Sequence, residues 1–320
     1  MIDFIQATTT FNGKVTTILP HLGKPDAVFS SGWTKYYLNG CERLALWIHP
    51  EHQMVKLEGS VPYYWQGNNF SFNQDLLREA INHLSSFLKV DWWKAELNAF
   101  EYGVIMEVKM KPKEYILHHS AKPSEHLLLT EKEKDNGSYR NWNDRNVKLK
   151  MYDAGRNIIV KQGEDRKTII REAGWQDAGQ FLKWEAHYLK PECLNRGVAL
   201  HLYDLMNKDW NNTFKEDLYL QYQRLLPMKS IILPDNKKDL STADILAITF
   251  AEQSLNEGQP LEALKKILYG RINSIPDEVL SRPDKDARKR QVKALLDKIK
   301  ESPQSKWDLS EQIQKTLENE

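Results

Sequence analysis

The sequence has little of what several common classes of protein require. Only two cysteines, Cys41 and Cys193, occur in 320 residues, and their spacing supports neither a disulfide framework nor a cysteine-based zinc site. No apolar run approaches the roughly 18 residues of a membrane helix, and the first residues lack the basic start and apolar core of a signal peptide. These absences favour a soluble, cytoplasmic protein without a membrane partner.

Phosphate-binding glycine loops and the usual hydrolase motifs are also missing. No Walker-type GxxxxGKS or GxxxxGKT loop, GxGxxG fingerprint, nucleophile elbow or HExxH pair occurs, which removes support for nucleotide hydrolysis, dinucleotide chemistry, serine hydrolysis and zinc proteolysis. The net charge is only +1. Any affinity for nucleic acid therefore has to come from a local basic patch.

The patterns of polar and apolar residues predict an α+β fold with a central antiparallel sheet. Dense β-branched residues and turn signals such as Asn39-Gly40 predict a meander of hairpins near the start of the chain. Apolar and polar alternation predicts further strands around 95–108, 146–160 and 181–189. The polar segment before 146, with its Asn136-Gly137 pair, is predicted to be a loop or loose hairpin.

Helical periodicity predicts the packing elements and the division of the chain. Asn73 can cap a helix over 74–88, where the apolar residues recur at the spacing of one helix face. From about residue 200 onward the periodicity is mainly helical. The sequence thus predicts a catalytic domain over residues 1–205 and a mostly helical C-terminal region over 206–320.

Candidate chemistry begins with a tyrosine on a predicted strand. In residues 147–152 every second side chain is apolar, so the alternate face carries Lys148, Lys150 and Tyr152. The two ammonium groups would attract a phosphodiester and favour the phenolate of the tyrosine. The alternative interpretation is a half-buried strand whose tyrosine only packs.

Two glutamates on predicted strands, Glu101 and Glu185, are the candidate ligands of Mg²⁺ or Mn²⁺. These ions prefer hard carboxylate oxygens and need only one or two of them from the protein. Covalent cleavage of DNA needs a nucleophile that attacks phosphorus and a cation that neutralises the phosphate. A structural ion pair between Glu185 and a neighbouring lysine is the competing explanation.

Other segments are candidates for contact with DNA. The predicted helix 287–300 is strongly basic and includes Arg288, Lys289 and Arg290, although such a helix can also be a solvated face. The aromatic cluster Tyr63-Tyr64-Trp65 could stack unpaired bases, although tryptophan is more often buried.

Several segments, taken in order, resemble a known family. Those segments are MIDFI, LEGS, GNN, FEYGV, KLKMYD and LKWEA, and they fall within roughly residues 1–200. They resemble the phage and plasmid replication initiators related to the gene II protein of filamentous phages. In that family a tyrosine cuts one strand at an origin, stays linked to the 5′ phosphate and leaves a 3′ hydroxyl for the polymerase.

The resemblance implies a role for individual residues. Tyr152 would be the nucleophile and Lys150 a phosphate contact, while Glu101 and Glu185 would bind Mg²⁺ or Mn²⁺. A lysine often follows the acid at the position of Asp153 in the family, whereas this chain has Ala154 there and Arg156 as the nearest cation. We therefore expect Arg156 and Lys148 to contact the DNA, with the basic C-terminal helix as an auxiliary contact.

The predicted function is initiation of rolling-circle replication by single-strand nicking. The implied partners are origin DNA of a phage or plasmid, single-stranded at the nick, and the host replication machinery. A non-catalytic origin-binding or regulatory protein on the same scaffold is the alternative. A third hypothesis is a structural or partner-binding protein with an inert β-rich domain.

Overall fold

A computed structural model describes most of the chain. The described residues are 1–11, 22–38, 41–70, 72–130, 139–162, 166–172, 174, 180–228, 231–232, 242–256, 261–298, 300–301 and 305–319. The predicted turns at Asn39-Gly40 and Asn136-Gly137 lie outside these residues.

Strands predominate in the first half of the chain and helices in the second. The strands are β1 (Ile2–Thr10), β2 (Ala27–Val28), β3 (Thr34–Leu38), β4 (Cys41–His49), β5 (Met54–Ser60), β6 (Glu96–Val108), β7 (His119–Ala121), β8 (Leu128–Thr130), β9 (Tyr139–Asn143), β10 (Val147–Asp153), β11 (Gln180–Tyr188), β12 (Leu225–Pro227), β13 (Ile231–Ile232) and β14 (Lys300–Glu301). The helices are α1 (Val61–Gln66), α2 (Gln74–Leu88), α3 (Pro112–Leu117), α4 (Ala154–Gln162), α5 (Arg166–Glu172), α6 (Lys208–Gln223), α7 (Thr242–Asn256), α8 (Leu261–Ser274), α9 (Arg282–Lys298) and α10 (Ser310–Asn319).

The central element is a ten-stranded sheet in the order β2-β3-β4-β5-β1-β6-β11-β10-β9-β8. The pairings within it are antiparallel, as between β6 and β11 and between β10 and β11. The predicted α+β class with a central antiparallel sheet and a helical C-terminal region is confirmed. Asn73 caps α2 as expected, since its side-chain oxygen accepts a hydrogen bond from the backbone N–H of Leu76 at 2.9 Å.

Helix α6 covers one face of the two central strands β6 and β11. The indole of Trp184 donates to the carbonyl of Leu218 at 3.3 Å, and the hydroxyl of Tyr188 donates to Asp217 at 2.7 Å. Since side chains alternate along a strand, Lys183, Glu185 and His187 lie on the other face. We call this other face the pocket face.

One predicted strand is a helix. The residues 158–160 were expected to continue the strand that ends at Asp153, but α4 begins at Ala154. The carboxylate of Asp153 accepts a hydrogen bond from the backbone N–H of Arg156 at 2.8 Å, which satisfies one of the free N–H groups of the first turn. Ala154 and Ile158, four residues apart, are buried in a common apolar cluster with Phe181. Tertiary packing thus overrides the β-branched character of this segment.

The chain divides into two compact units whose limits differ from the predicted ones. The first unit contains residues 1–226 and 309–320, and the second contains 227–308. The expected boundary at residue 205 therefore lies inside the first unit, because α6 packs on its sheet. Helix α10 also belongs to the first unit, where Ile313 and Leu317 are buried.

The second unit is built mainly from helices α7, α8 and α9. Its apolar cluster includes Ile248, Ala251, Leu255 and Leu264 from α7 and α8. In the part of the chain that the structure describes, no helix combines the length and the apolar character needed to cross a membrane.

Candidate active site on the pocket face

Five of the nine predicted site residues converge on one pocket of about 610 Å³ in the pocket face. Tyr152, Lys150, Glu101, Glu185 and Arg156 all line it. Tyr152 and the two acids thus share one open cavity instead of lying on opposite faces of the sheet.

The strand register explains the convergence. Lys150 of β10 pairs with Glu185 of β11, and His187 of β11 pairs with Glu101 of β6. Antiparallel partners directly opposite each other project their side chains to the same face of the sheet. Four residues of three adjacent strands, β10, β11 and β6, therefore project from the same face.

Gly103 provides the space beneath the glutamate at the centre of the cluster. It pairs directly with Glu185. A Cβ at this position would lie 2.6 Å from the Cβ of Glu185 and 2.7 Å from the carbonyl oxygen of Trp184. Any side chain here would force Glu185 or its strand to move.

The structure adds a third acid, Asp3, that the sequence did not single out. One carboxylate oxygen each from Asp3, Glu101 and Glu185 lies within 4.8 Å of the others. The register of β1 against β6 shifts between Ile2 and Ile5, and this irregularity interrupts the regular alternation at Asp3. The MIDFI segment was quoted for its family resemblance, but alternation alone gives no reason to assign its acid to the site.

Asp3 is held by a complete set of hydrogen bonds. Ser60 donates to one carboxylate oxygen at 2.6 Å, and Asn69 and Lys183 each donate to the other at 2.6 Å. Burial alone raises the pKa of Asp3, but the charge of Lys183 and the hydrogen bonds outweigh it and lower the pKa from 3.8 to about 2. Asp3 is therefore ionised at neutral pH.

Two lysines neutralise most of the negative charge. Lys183 is completely buried and lies 2.6 Å from Asp3 and 2.7 Å from Glu185. Lys150 bridges the two predicted metal ligands, with a direct contact to Glu101 and a distance of 3.3 Å to Glu185. Burial disfavours both ammonium groups, but the surrounding carboxylates raise the pKa of each lysine above its usual value. Both lysines are charged, so the predicted ion pair of Glu185 is present.

The two glutamates respond differently to the same surroundings. Burial raises the pKa of Glu185, the charge of Glu101 adds to this effect, and the lysines only partly oppose it. Burial also acts to raise the pKa of Glu101, but a hydrogen bond from His187 at 2.8 Å and the charge of Lys150 lower it overall. Glu185 is thus the more basic of the two and the better proton acceptor.

The hydroxyl of Tyr152 faces this acceptor. It donates to a carboxylate oxygen of Glu185 at 3.4 Å, and the ammonium of Lys183 lies 5.6 Å from the centre of its ring. The expectation that nearby lysines favour the phenolate is wrong for this arrangement. Burial and the charge of Glu185 raise the pKa of Tyr152 well above 10, although Lys183 acts in the opposite direction. Tyr152 is therefore a neutral phenol at neutral pH.

The remaining predicted DNA contacts are distributed over the chain. Arg156 is exposed at the mouth of the pocket, and Lys148 is exposed on β10 but does not line the pocket. The other three, Arg288, Lys289 and Arg290, lie on α9 of the second unit. Lys289 is also 3.4 Å from Asp286, so the charge of α9 is partly balanced locally.

Four contributors were missed, namely Asp3, Lys183, His187 and Arg43, and two of them had a visible signal. Lys183 and His187 are two residues before and after Glu185, so the same strand alternation puts them on its face. Arg43 lines the pocket from β4, and its guanidinium lies 4.5 Å from the centre of the Tyr63 ring. No local pattern connects Arg43 to the site, because strands distant in sequence bring it there.

Comparison of the chain with models of known protein families, with curated proteins and with solved structures gives no match. The resemblance to the gene II family stays a prediction.

Proposed function

We propose that the first unit is a metal-dependent DNA-nicking endonuclease and strand transferase that starts rolling-circle replication. The observation that carries this proposal is the meeting of Tyr152 with three carboxylates and two ammonium groups in one open pocket. A hydroxyl beside a proton acceptor supplies a nucleophile, and the cations supply contacts for a phosphodiester.

The acidic residues suit a hard divalent cation. Asp3, Glu101 and Glu185 offer closely spaced carboxylate oxygens, which Mg²⁺ and Mn²⁺ prefer. Glu101 and Glu185 are the proposed direct ligands, since both pair with the partly exposed Lys150, whereas Asp3 is held by the buried Lys183. When bound, the ion would neutralise phosphate charge and help to orient the scissile bond.

The protein's own residues account for the proposed chemical step. The hydroxyl oxygen of Tyr152 attacks phosphorus, its proton passes to Glu185, and the bond between phosphorus and the 3′ oxygen breaks. The products are a tyrosyl 5′-phosphodiester and a 3′ oxygen that takes up a proton from water to become a hydroxyl. Because burial raises the pKa of Tyr152, its proton has to leave as the attack proceeds, and the carboxylate oxygen of Glu185 that faces the hydroxyl is the proposed acceptor.

Lys150 is the proposed phosphate contact. Its side chain is 27% exposed, whereas that of Lys183 is 1% exposed. The ammonium of Lys150 can therefore leave Glu101 and Glu185 for an incoming phosphate, while Lys183 stays to hold the cluster together. Binding of a divalent cation by the two glutamates favours this exchange, because it replaces the charge that Lys150 supplies.

The proposal extends to the surroundings of the site. Arg156 and Lys148 would contact DNA beside the cleaved strand, and the basic segment Arg288–Arg290 would be an auxiliary contact. The proposed partners are origin DNA, single-stranded at the nick, and the host replication machinery. These partners imply a cytoplasmic location.

Relaxation of supercoiled DNA tests the activity. Plasmids carrying segments of the replicon that encodes the protein are incubated with the full chain and Mn²⁺ or Mg²⁺. The proposal predicts conversion of one plasmid to the open circle, abolished by a chelator and by Tyr152→Phe. No cleavage with any segment and either ion would contradict the proposal.

A non-catalytic DNA-binding protein is the second candidate, and two observations favour it. Lys150 and Lys183 already pair with the carboxylates, and the pKa of Tyr152 is raised. A purely structural ion-pair network would have both properties. The non-catalytic candidate predicts sequence-specific binding of the same DNA without any nick. A structural protein with an inert β-rich domain predicts neither binding nor a nick.

A further inference from the structure

A second cluster on the sheet combines partly exposed aromatic rings with lysines. Trp47 of β4 is in contact range of two ammonium groups, with Lys56 at 4.4 Å and Lys35 at 5.3 Å from its ring centre. Lys56 also lies 5.8 Å from the ring centre of Trp33, and the ring of Phe29 is 5.2 Å from that of Trp47. We call Phe29, Trp33, Lys35, Trp47 and Lys56 the aromatic–lysine cluster.

The strand register puts this cluster on the pocket face. Phe4 of β1 lies on that face, because its ring is 5.1 Å from the ring of His187. Phe4 pairs with Ser60 of β5, and Lys56 is four residues before Ser60, so it shares its face. Lys56 in turn pairs with Trp47.

The next strand and the pocket extend the same surface. Trp47 pairs with Lys35 of β3, so the face continues toward the sheet edge. In the other direction Arg43, four residues before Trp47 on β4, lines the pocket together with Ser60. The cluster and the candidate active site are thus two regions of one continuous face of the sheet.

We infer that the aromatic–lysine cluster binds unpaired nucleotides of the DNA strand that the pocket cleaves. The inference rests on the proposed function for the identity of the ligand and adds a binding site separate from the reacting groups. Aromatic rings on an open surface stack bases of any sequence, and lysines between them pair with the phosphates. Duplex DNA does not fit this mode, because its base faces are already stacked.

The charges of the cluster are complementary to a sugar–phosphate backbone. Lys35, Lys56 and the neighbouring Arg43 carry positive groups, and one of them, Lys56, pairs with Glu58 at 2.7 Å. Phe29 remains 42% exposed. The ring of Phe29, beside that of Trp47, is therefore accessible to a base.

The sheet order gives the distance between stacking and cleavage. Trp47 on β4 is five strand steps from Tyr152 on β10, through β5, β1, β6 and β11. At about 4.8 Å per step this is about 24 Å. Even at the compact spacing of a duplex strand, about 3.4 Å per nucleotide, about seven nucleotides span this distance.

Binding of an oligothymidylate of about 16 nucleotides tests the inference. All measurements use the full chain with Tyr152→Phe and a chelator, so that cleavage plays no part. Trp47→Leu is expected to weaken binding by about fivefold to a hundredfold, the loss of one stacked base. Trp93→Leu is the matched control, since Trp93 is also partly exposed and lies outside the sheet. Binding of an abasic oligomer of equal length should be unaffected by Trp47→Leu.

A second variant avoids the risk that Trp47→Leu disturbs the sheet. Lys35→Met combined with Lys56→Met should reduce the slope of log affinity against log salt by about 1.4, which corresponds to two phosphate contacts. Equal affinities of Trp47→Leu and Trp93→Leu for the oligothymidylate would overturn the inference, as would equal losses on the abasic oligomer. If the unsubstituted protein nicks plasmid DNA although the cluster does not bind the oligomer, the proposed function stands and only this inference is wrong. If the cluster binds the oligomer but no plasmid is nicked, only the proposed nicking activity is wrong.

Discussion

Replacing Asp3 with asparagine should destabilise the protein by an amount that depends on pH. The pKa of Asp3 falls from 3.8 to about 2 on folding, which corresponds to about 2.4 kcal/mol at about 1.36 kcal/mol per pH unit. Because the pKa is lowered in the folded state, this stabilisation is fully present above about pH 4 and is lost as the pH falls toward 2. Asparagine resembles the protonated acid, so Asp3→Asn should cost about 2.4 kcal/mol at pH 7 and roughly half of that near pH 3.

Urea unfolding of both proteins at pH 7 and near pH 3 measures this difference. Asp75→Asn is the matched control, since Asp75 also pairs with a cation, Arg78, at 2.6 Å, but its side chain is 77% exposed. Exposed pairs contribute no more than about 1 kcal/mol. A cost for Asp3→Asn equal to that of Asp75→Asn at pH 7 would refute the argument that Lys183 stabilises a buried, ionised Asp3.

Two further predictions concern the centre of the site. Lys150→Met should tighten Mn²⁺ binding at least about tenfold in calorimetric titration, because it removes a charged hydrogen-bond partner of Glu101 and Glu185 worth about 1.5–3 kcal/mol. Lys148→Met, on the same strand but exposed, should leave the Mn²⁺ affinity unchanged. Equal Mn²⁺ affinities of the two variants would contradict the proposal that Lys150 leaves the two glutamates when a cation binds. Gly103→Ala should cost about 1–3 kcal/mol of stability and abolish nicking, because its Cβ would lie 2.6 Å from that of Glu185; full nicking activity in this variant would show that the position of Glu185 is unimportant.

Strand periodicity alone predicts part of the candidate site. Alternation in β10 and β11 correctly gave the face that carries Lys150, Tyr152 and Glu185, because a period of two residues needs no knowledge of tertiary structure. The same alternation also places Lys183 and His187 on that face. Their importance could not be predicted, since it depends on burial and on the carboxylates of other strands.

Other features depend on contacts that local patterns do not contain. Asp3 joins the cluster at an irregularity of β1, and alternation predicts only regular strands. The helix at Ala154 follows from packing of Ala154 and Ile158 against Phe181, which outweighs the preference of β-branched residues for strands. Helix α10 belongs to the first unit through contacts between residues far apart in the sequence, such as the hydrogen bond from the N–H of Leu309 to the hydroxyl of Tyr222 at 2.8 Å.

The pKa of Tyr152 shows how burial can reverse a prediction from neighbouring charges. The sequence shows Lys148 and Lys150 beside the tyrosine, which favours the phenolate. In the folded protein Lys150 is paired with Glu101 and Glu185, and burial with the charge of Glu185 raises the pKa of the tyrosine. In the proposed reaction Tyr152 therefore needs Glu185 as its proton acceptor.

Detection of a covalent protein–DNA adduct tests the proposed nicking reaction most directly. The full chain is incubated with Mn²⁺ and 3′-end-labelled single-stranded DNA spanning the nick, and the products are separated under denaturing conditions. We expect a labelled adduct whose nuclease-digested peptide carries a nucleotide on Tyr152, and no adduct with Tyr152→Phe despite unchanged DNA binding. An adduct that persists in Tyr152→Phe, or a nucleotide attached to a different residue, would contradict the central claim.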